Sequence, residues 1–256
     1  MTVKHPVAEE TRSTQEHWDR VYESVQTYYG LYLYQHQLLD IIRARFDRLG
    51  GKRILEVGCG KGNELAQLVR EGAECLGLDF SESAIRLLSE RRRTDRLELA
   101  LVRGDARQLP FAPNYFDVIF SQGVLEHFTD PTPVLREQHR VLRPGGYVVV
   151  EVPNKWTLYT VYKKALMSLD RWPPGWETQY SPGELTTLMH ASGFAVLDCV
   201  GWDAMVLKVI RKLRKILGVR EKPETSLARR LRHRLERHPV LINFFASVTV
   251  VGQKPV

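Results

Sequence analysis

Glu56 opens a run of three glycines at alternate positions, Glu56-Val57-Gly58-Cys59-Gly60-Lys61-Gly62, behind the apolar pair Ile54-Leu55. Glycines without a Cβ let a backbone turn sharply and approach a ligand closely. The helical pattern that follows (Leu65, Leu68, Val69) would present free N–H groups at its start. A second acid, Asp79, ends the next apolar run, Glu74–Leu78. A dinucleotide fingerprint needs G-x-G-x-x-G, with pyrophosphate on the helix N-terminus. Here the pattern is G-x-G-x-G, with Asn63 at the sixth position, and Glu56 would oppose a pyrophosphate but suit an ammonium group. Asp79 stands a suitable distance on to accept hydrogen bonds from ribose hydroxyls. The chemistry indicated is capture of a nucleoside that carries an amino-acid end and no phosphate.

S-adenosylmethionine (SAM) fits that description. Three later stretches extend the pattern: Gly104-Asp105-Ala106 after an apolar run, Phe116-Asp117-Val118-Ile119-Phe120-Ser121, and Leu142-Arg143-Pro144-Gly145-Gly146. Together with Ile54–Gly62 and Leu76-Gly77-Leu78-Asp79-Phe80-Ser81, they resemble the motifs of the class I SAM-dependent methyltransferases with a type 11 methyltransferase domain. The resemblance covers about residues 50–200, with a closing strand near the C-terminus. It is specific for fold and cofactor, not for substrate. It implies an α/β, Rossmann-like, seven-stranded mostly parallel sheet with an antiparallel last strand and helices on both faces. It further implies that Glu56 and the loop Gly58, Cys59, Gly60 and Gly62 hold the amino-acid end of SAM, and that Asp79 holds the ribose. Phe80 would lie against the adenine, Asp105 and Ala106 would meet the adenine edge, and Gln122 would sit close to the methionine part.

Methyl transfer requires alignment of the acceptor with the methyl group; a base is needed only for a hydroxyl or ammonium acceptor. His127, in Gln122-Gly123-Val124-Leu125-Glu126-His127-Phe128, follows the fourth strand and is the candidate base or substrate contact. A lone histidine in a structural role is the competing reading. This loop is also similar to the ubiquinone-type O-methyltransferases, where a Glu three residues before the Glu-His pair helps hold a divalent metal. That position is Gly123 here, so no metal site is expected.

The elements that must position these groups follow from periodicity. A helix is expected over Thr14–Ser24, with Trp18, Val21 and Tyr22 on one face, and a second to about Arg48, with Leu38, Leu39, Ile42 and Phe46. Residues 1–50 would form an N-terminal helical lid and residues 51–256 the methyltransferase domain. Tyr22, Tyr28, Tyr29, Tyr32 and Tyr34 make the first segment either a lid lining a substrate mouth or a packed helical extension. Trp18 and Tyr22 are candidate substrate contacts. Strands are expected at Arg53–Val57, Glu74–Leu78, Leu97–Val102, Phe116–Ser121, Tyr147–Val152, Phe194–Val200 and 246–252, the parallel ones ending on one ligand-binding edge. A helix is expected at Asn63–Arg70 and ended by Gly72, and Ser81 would cap the next. Arg91, Arg92 and Arg93 read as cations at that helix's C-terminus, against a binding role. Arg143-Pro144-Gly145-Gly146 reads as a tight turn, and Ser181-Pro182-Gly183-Glu184 as a capping box with proline at the first helical position. An insertion over 154–180, rich in Trp and Tyr, would form an acceptor cap with Trp156 and Tyr159 as candidate contacts; helical packing is the rival reading.

Composition excludes several classes. The chain of 256 residues is 43% hydrophobic, enough for a large core. Cys59, Cys75 and Cys199 are scattered, odd in number and without C-x-x-C, which argues against a disulfide scaffold or zinc site and for a reducing compartment. Cys59 is either a reactive thiol or a small residue tolerated between glycines. No signal peptide and no run of eighteen apolar residues is present, so a soluble, cytoplasmic protein is expected. Net charge is +7, yet residues 208–237 alone carry twelve Lys/Arg against three Asp/Glu, leaving the remainder slightly acidic. Within 203–245, Val206, Val209, Ile210, Leu213, Ile216 and Leu217, then Leu227, Leu231 and Leu235, follow helical spacing among the cations. These amphipathic helices would pack on the domain, lie at a membrane surface through 206–237, or grip RNA. The stripe with its arginine coat favours peripheral membrane contact over RNA. The expected function is methylation, most simply O-methylation, of a small-molecule or lipid-like acceptor. The alternatives are a tRNA-modifying methyltransferase using the basic segment and a SAM-binding protein without turnover.

Overall fold

The computed structural model describes residues 14–23, 36–169, 171–172, 175–202, 231 and 233–256. Tyr28, Tyr29, Tyr32, Tyr34 and most of the basic segment lie outside them, as does the side chain of Tyr159. The apolar runs form seven strands: β1 Arg53–Val57, β2 Glu74–Asp79, β3 Leu99–Arg103, β4 Phe116–Gln122, β5 Leu142–Pro153, β6 Ala195–Trp202 and β7 Ser247–Gln253. They make one sheet in the order β3-β2-β1-β4-β5-β7-β6. The first five strands run parallel, and β7 pairs antiparallel with both β5 and β6. The order reverses between β1 and β4, and such a switch point opens a crevice at the strand C-termini.

Among the described residues the helices that accompany the sheet include α1 Gln15–Glu23, α2 His36–Arg43, α3 Asn63–Arg70, α4 Glu82–Thr94, α5 Thr132–Val141, α6 Leu158–Ser168 and α7 Pro182–Ala191. Central strands buried on both faces serve two cores. One gathers Leu55, Val57, Ile119, Val148 and Val150 with Leu135 and Leu185. The other gathers Ile54, Phe120 and Val149 with Leu39, Leu65 and Leu88. Each such side chain contributes about 1.5–3 kcal/mol on burial, and the two layers hold the strand ends at fixed height.

Local signals act as anticipated at several ends. Ser81 caps α4 through the Ala84 N–H, Ser181 and Glu184 make a reciprocal capping box on α7, and Gly72 follows α3 at φ 83°. Two expectations change. The second helix stops at Arg43, not near Arg48. The stretch 143–146 is not a free turn but an excursion inside β5: Leu142 already pairs with Phe116, and pairing resumes at Val118↔Tyr147. Four residues on β5 thus oppose Asp117 alone. Gly146 is fixed there because a Cβ would stand 2.9 Å from the Arg143 carbonyl oxygen and 3.0 Å from that of Asp117.

No residue of helix α1 is fully buried. Trp18 and Tyr22 are half-buried, and polar contacts with the start of α4 fasten the helix. Asp19 Oδ1 accepts from Ser81 Oγ (2.6 Å) and from the Ser83 N–H (3.0 Å), and Glu23 accepts from Ser83 Oγ (3.1 Å). Two carboxylates therefore face the positive end of α4. Asp19→Ala should leave the sheet intact while raising amide exchange across 15–23 and at Ser83 about tenfold, the loss of a cap being worth about 0.5–2 kcal/mol. Hydrogen–deuterium exchange reads this directly, and unchanged protection would show that α1 is held by other contacts.

Candidate functional site

The loop after β1 is built on left-handed backbone. Gly58, Gly60 and Gly62 have φ of 74°, 47° and 61°, a region that side chains with a Cβ rarely adopt. Space forbids a Cβ as well: one on Gly58 would lie 2.4 Å from Val124 Cγ2, and one on Gly62 2.7 Å from Leu88 Cδ1. The loop thus folds flat against the start of the post-β4 segment and against α4. Asp79, at the end of β2, fastens it. Its Oδ2 accepts from the Gly60 N–H (2.8 Å) and its Oδ1 from the Ser81 N–H (2.9 Å). Burial pushes the Asp79 carboxyl up to about 6 against these hydrogen bonds, with the charge of Asp19 adding to the rise.

Cys59 sits between the glycines for reasons of size. Its Sγ would be 2.8 Å from a Cβ on Gly77, so the thiol fills the space β2 leaves. It is buried, and burial together with the neighbouring carboxylates raises it well above the ordinary thiol range. This is an inert thiol. Its backbone N–H donates to the Leu78 carbonyl (3.0 Å), and its carbonyl accepts from the Gly62 N–H (2.7 Å).

Beneath the loop lie Glu56 and Glu64, each only 4% exposed. Burial, then the charges of Glu64 and Asp79, raise Glu56 well above the usual carboxyl range. Burial pushes Glu64 up to about 7. Glu56 Oε2 and Glu64 Oε1 are buried without a hydrogen-bond partner. A buried acceptor left unpaired is costly, so the site fits a cofactor that brings its own donors, as the ammonium end of SAM does. Arg91 closes the loop from α4: Nη1 donates to the Lys61 carbonyl (2.8 Å) and to Asn63 Oδ1 (2.6 Å). The three-arginine run thus does more than oppose a helix end, and the sequence held no signal for it.

The remaining strand ends converge on the same edge. The Gly104 N–H donates to the Asp79 carbonyl (3.0 Å), which brings Asp105 and the buried Ala106 beside β2. Asp105 has an unexpected partner, the guanidinium of Arg107, with Nη2 2.6 Å from Oδ2. Phe80 follows Asp79 directly and is half-buried. Gln122 ends β4 opposite Glu151, and the Gly123 N–H donates to the Glu151 carbonyl (3.1 Å). Among the described residues no group of three or more His, Cys, Asp or Glu is placed to hold a metal ion.

His127 lies in a single 3₁₀ turn, Leu125–His127, and is 7% exposed. Its Nδ1 is 3.1 Å from the Trp176 carbonyl. A carbonyl only accepts, so Nδ1 carries the proton and Nε2 the lone pair. Burial lowers its pKa to about 4, so the ring is neutral at physiological pH. Glu126 beside it is buried and raised well above its ordinary range by burial and by the charge of Glu177. The Thr178 N–H donates to the Glu126 carbonyl (2.8 Å), so the insertion is stitched to this turn through backbone as well. Glu177 itself is buried, paired with the buried Lys163 and accepting from Trp172 Nε1 (2.7 Å).

Helix α1 supplies the last wall. Trp18 stands edge-on to His127, with ring centroids 4.8 Å apart. The Tyr22 hydroxyl lies 2.7 Å from where a Gly60 Cβ would be, so Tyr22 meets the glycine loop. Trp156 is not brought in: it is 61% exposed, with Lys155 over its ring.

Comparison with known proteins agrees with this geometry. The family model described as Methyltransferase domain matches residues 55–150. The ubiquinone biosynthesis O-methyltransferase of Ruegeria pomeroyi is 30% identical over 175 residues, 63% of this chain and 70% of that protein. The phthiotriol/phenolphthiotriol dimycocerosates methyltransferase of Mycobacterium tuberculosis is 42% identical over 101 residues, 39% of this chain and 37% of that protein. Among solved structures, phosphoethanolamine N-methyltransferase 2 of Haemonchus contortus, in complex with SAM, superposes with a TM-score of 0.65 at 19% identity, over 95% of this chain and 58% of that one. The glycine loop, the strand order and these similarities have one reading: the chain belongs to the class I SAM-dependent methyltransferases.

Proposed function

We propose that the enzyme methylates a small-molecule or lipid-like acceptor, most simply on oxygen. The observation that carries this reading is the arrangement around His127. A neutral imidazole, with its proton committed to the Trp176 carbonyl, stands at the β4 end of the crevice, walled by Trp18. SAM, when bound, supplies an activated methyl group on a sulfonium leaving group. The chain's residues then have to hold, align and keep dry. Glu56 and the loop from Gly58 to Gly62 hold the amino-acid end, and Asp79 the ribose. Phe80 lies on the adenine, Asp105 and Ala106 take its edge, and Gln122 borders the methionine part. Tyr22 closes over the loop and Trp18 over the acceptor side. Alignment of this kind is worth on the order of 7–11 kcal/mol in favourable cases.

His127 Nε2 then accepts the acceptor's proton. A base held near 4 is weak, so an acidic hydroxyl, phenolic or enolic, suits it better than an alcohol. The names of the relatives from Ruegeria and Mycobacterium support a ring-bearing or lipid-like acceptor. Membrane contact has support in exposed apolar side chains at the end of the basic segment and just after it. Leu231, Val240 and Phe244 are 57%, 60% and 67% exposed, which suits an interfacial stripe better than a packed one. No helix among the described residues is long and apolar enough to cross a membrane.

Two measurements test the reading. Asp79→Ala should weaken SAM binding at least about tenfold by calorimetry, since a carboxylate bonded to the Gly60 N–H of the loop and to the Ser81 N–H is removed; unchanged affinity would refute the ribose and loop assignment. Incubation with methyl-labelled SAM and extract of the source cells should place label in the organic-soluble fraction, and sedimentation with anionic vesicles at low salt should carry the protein down. Label in RNA would overturn the acceptor class in favour of a phosphate-gripping role for the basic segment.

A further inference from the structure

Glu64 carries no motif signal, yet it is the second carboxyl under the glycine loop. Glu56 is the last residue but one of β1 and Glu64 sits in the first turn of α3, with only residues 57–63 between them in the chain. Each is 4% exposed, and each has a buried oxygen without a partner, Oε2 of Glu56 and Oε1 of Glu64. The groups that face the pair are Asp79 from β2, the thiols of Cys59 and Cys75, and Arg91 from α4. Arg91 is already bound to the Lys61 carbonyl and Asn63. What the pair lacks is a compact cation with several N–H donors.

We propose that Glu56 and Glu64 form a two-carboxyl seat for the ammonium end of SAM, and that filling the seat expels a proton from the pair into solvent. This rests on the cofactor placement above and adds Glu64 and a proton to it. The charge of Glu64 raises Glu56, so two buried carboxyls under one loop keep a proton while the seat is empty. Burial sets the direction, raising Glu56 well above its usual range and Glu64 to about 7. An ammonium in the seat favours loss of the proton that Glu64 holds, so affinity rises with pH towards neutrality. The linkage also has a sign in the free protein. Acids raised on folding contribute stability below their unfolded pKa and lose it as pH rises through the folded one, so the ligand-free fold weakens across about pH 4.5–7 through Glu64, and Glu56 acts in the same direction. SAM restores that loss.

The test is titration calorimetry with SAM at about pH 6.5, where an α-amino group is already protonated, in buffers of different ionisation enthalpy. Wild type should release roughly half to one proton per SAM bound. Glu64→Gln should still bind, release less than half as much, and lose most of the rise in affinity between about pH 6 and 7, below the titration of the α-amino group. Buffer-independent heat in wild type would overturn the proposal, and so would a Glu64→Gln protein that releases as much as wild type, since Glu64 would then hold none of the proton. Should Glu64→Gln not fold, the wild-type proton count decides alone. Failure of wild type to bind SAM would sink the cofactor placement itself, a result distinct from binding without proton release.

Discussion

The bond from the Gly60 N–H to the Asp79 carboxylate, 2.8 Å long, is the contact on which the rest of this edge depends. A loop of left-handed glycines has little of its own to hold it, because the freedom that lets it form also lets it leave. Asp79 removes that freedom from one side, Arg91 from the other through the Lys61 carbonyl, and Val124 and Leu88 from above and below, where a Cβ would stand. The same carboxylate receives the Ser81 N–H, and Ser81 in turn caps α4 and donates its hydroxyl to Asp19. One polar chain therefore runs from the cofactor loop to the N-terminal helix. A ligand that meets Asp79 acts on both ends of it.

That chain is bought with charge burial. Glu56, Glu64, Asp79 and Glu126 are all nearly inaccessible, and burial raises each of them. A fold selected for stability alone would place apolar residues of similar size there, since buried ionisable groups are weak contributors to stability. Perturbed carboxyls gathered around the strand ends are what a binding site needs, and there binding free energy can return what folding gave up.

Most of the frame was legible in the sequence because it is written in periodicity and in backbone chemistry. β1 and α3 fall on the residues their apolar patterns mark, and the antiparallel β7 lies within one residue of its expected place. Gly58, Gly60 and Gly62 declare themselves by spacing. What stayed hidden are the polar partners that only tertiary folding supplies. Asp19 looks like any surface acid of an amphipathic helix until α4 is set opposite it. Arg107 looks like a solvated cation until it closes on Asp105. Glu64 sits on no stripe and in no motif. The excursion at 143–146 was read as a turn because Pro-Gly-Gly carries a turn signal whatever the strand beside it does; only the pairing with Phe116 shows it to be internal to β5.

The acceptor side follows a different constraint from the cofactor side. There the determinants are not loop glycines but a segment of the insertion, and they meet in backbone. The Trp176 carbonyl fixes the tautomer of His127, and the Thr178 N–H fixes the carbonyl of Glu126. Between those two residues, Glu177 turns the other way into a buried pair with Lys163. Breaking such a pair leaves a bare charge in the interior, which is strongly unfavourable. The insertion is thereby locked in register with the post-β4 turn, and the imidazole it orients stays neutral and dry. In the role proposed for it, a base kept in that state suits an acceptor that gives its proton up readily, with Trp18 and the insertion as the proposed walls around it.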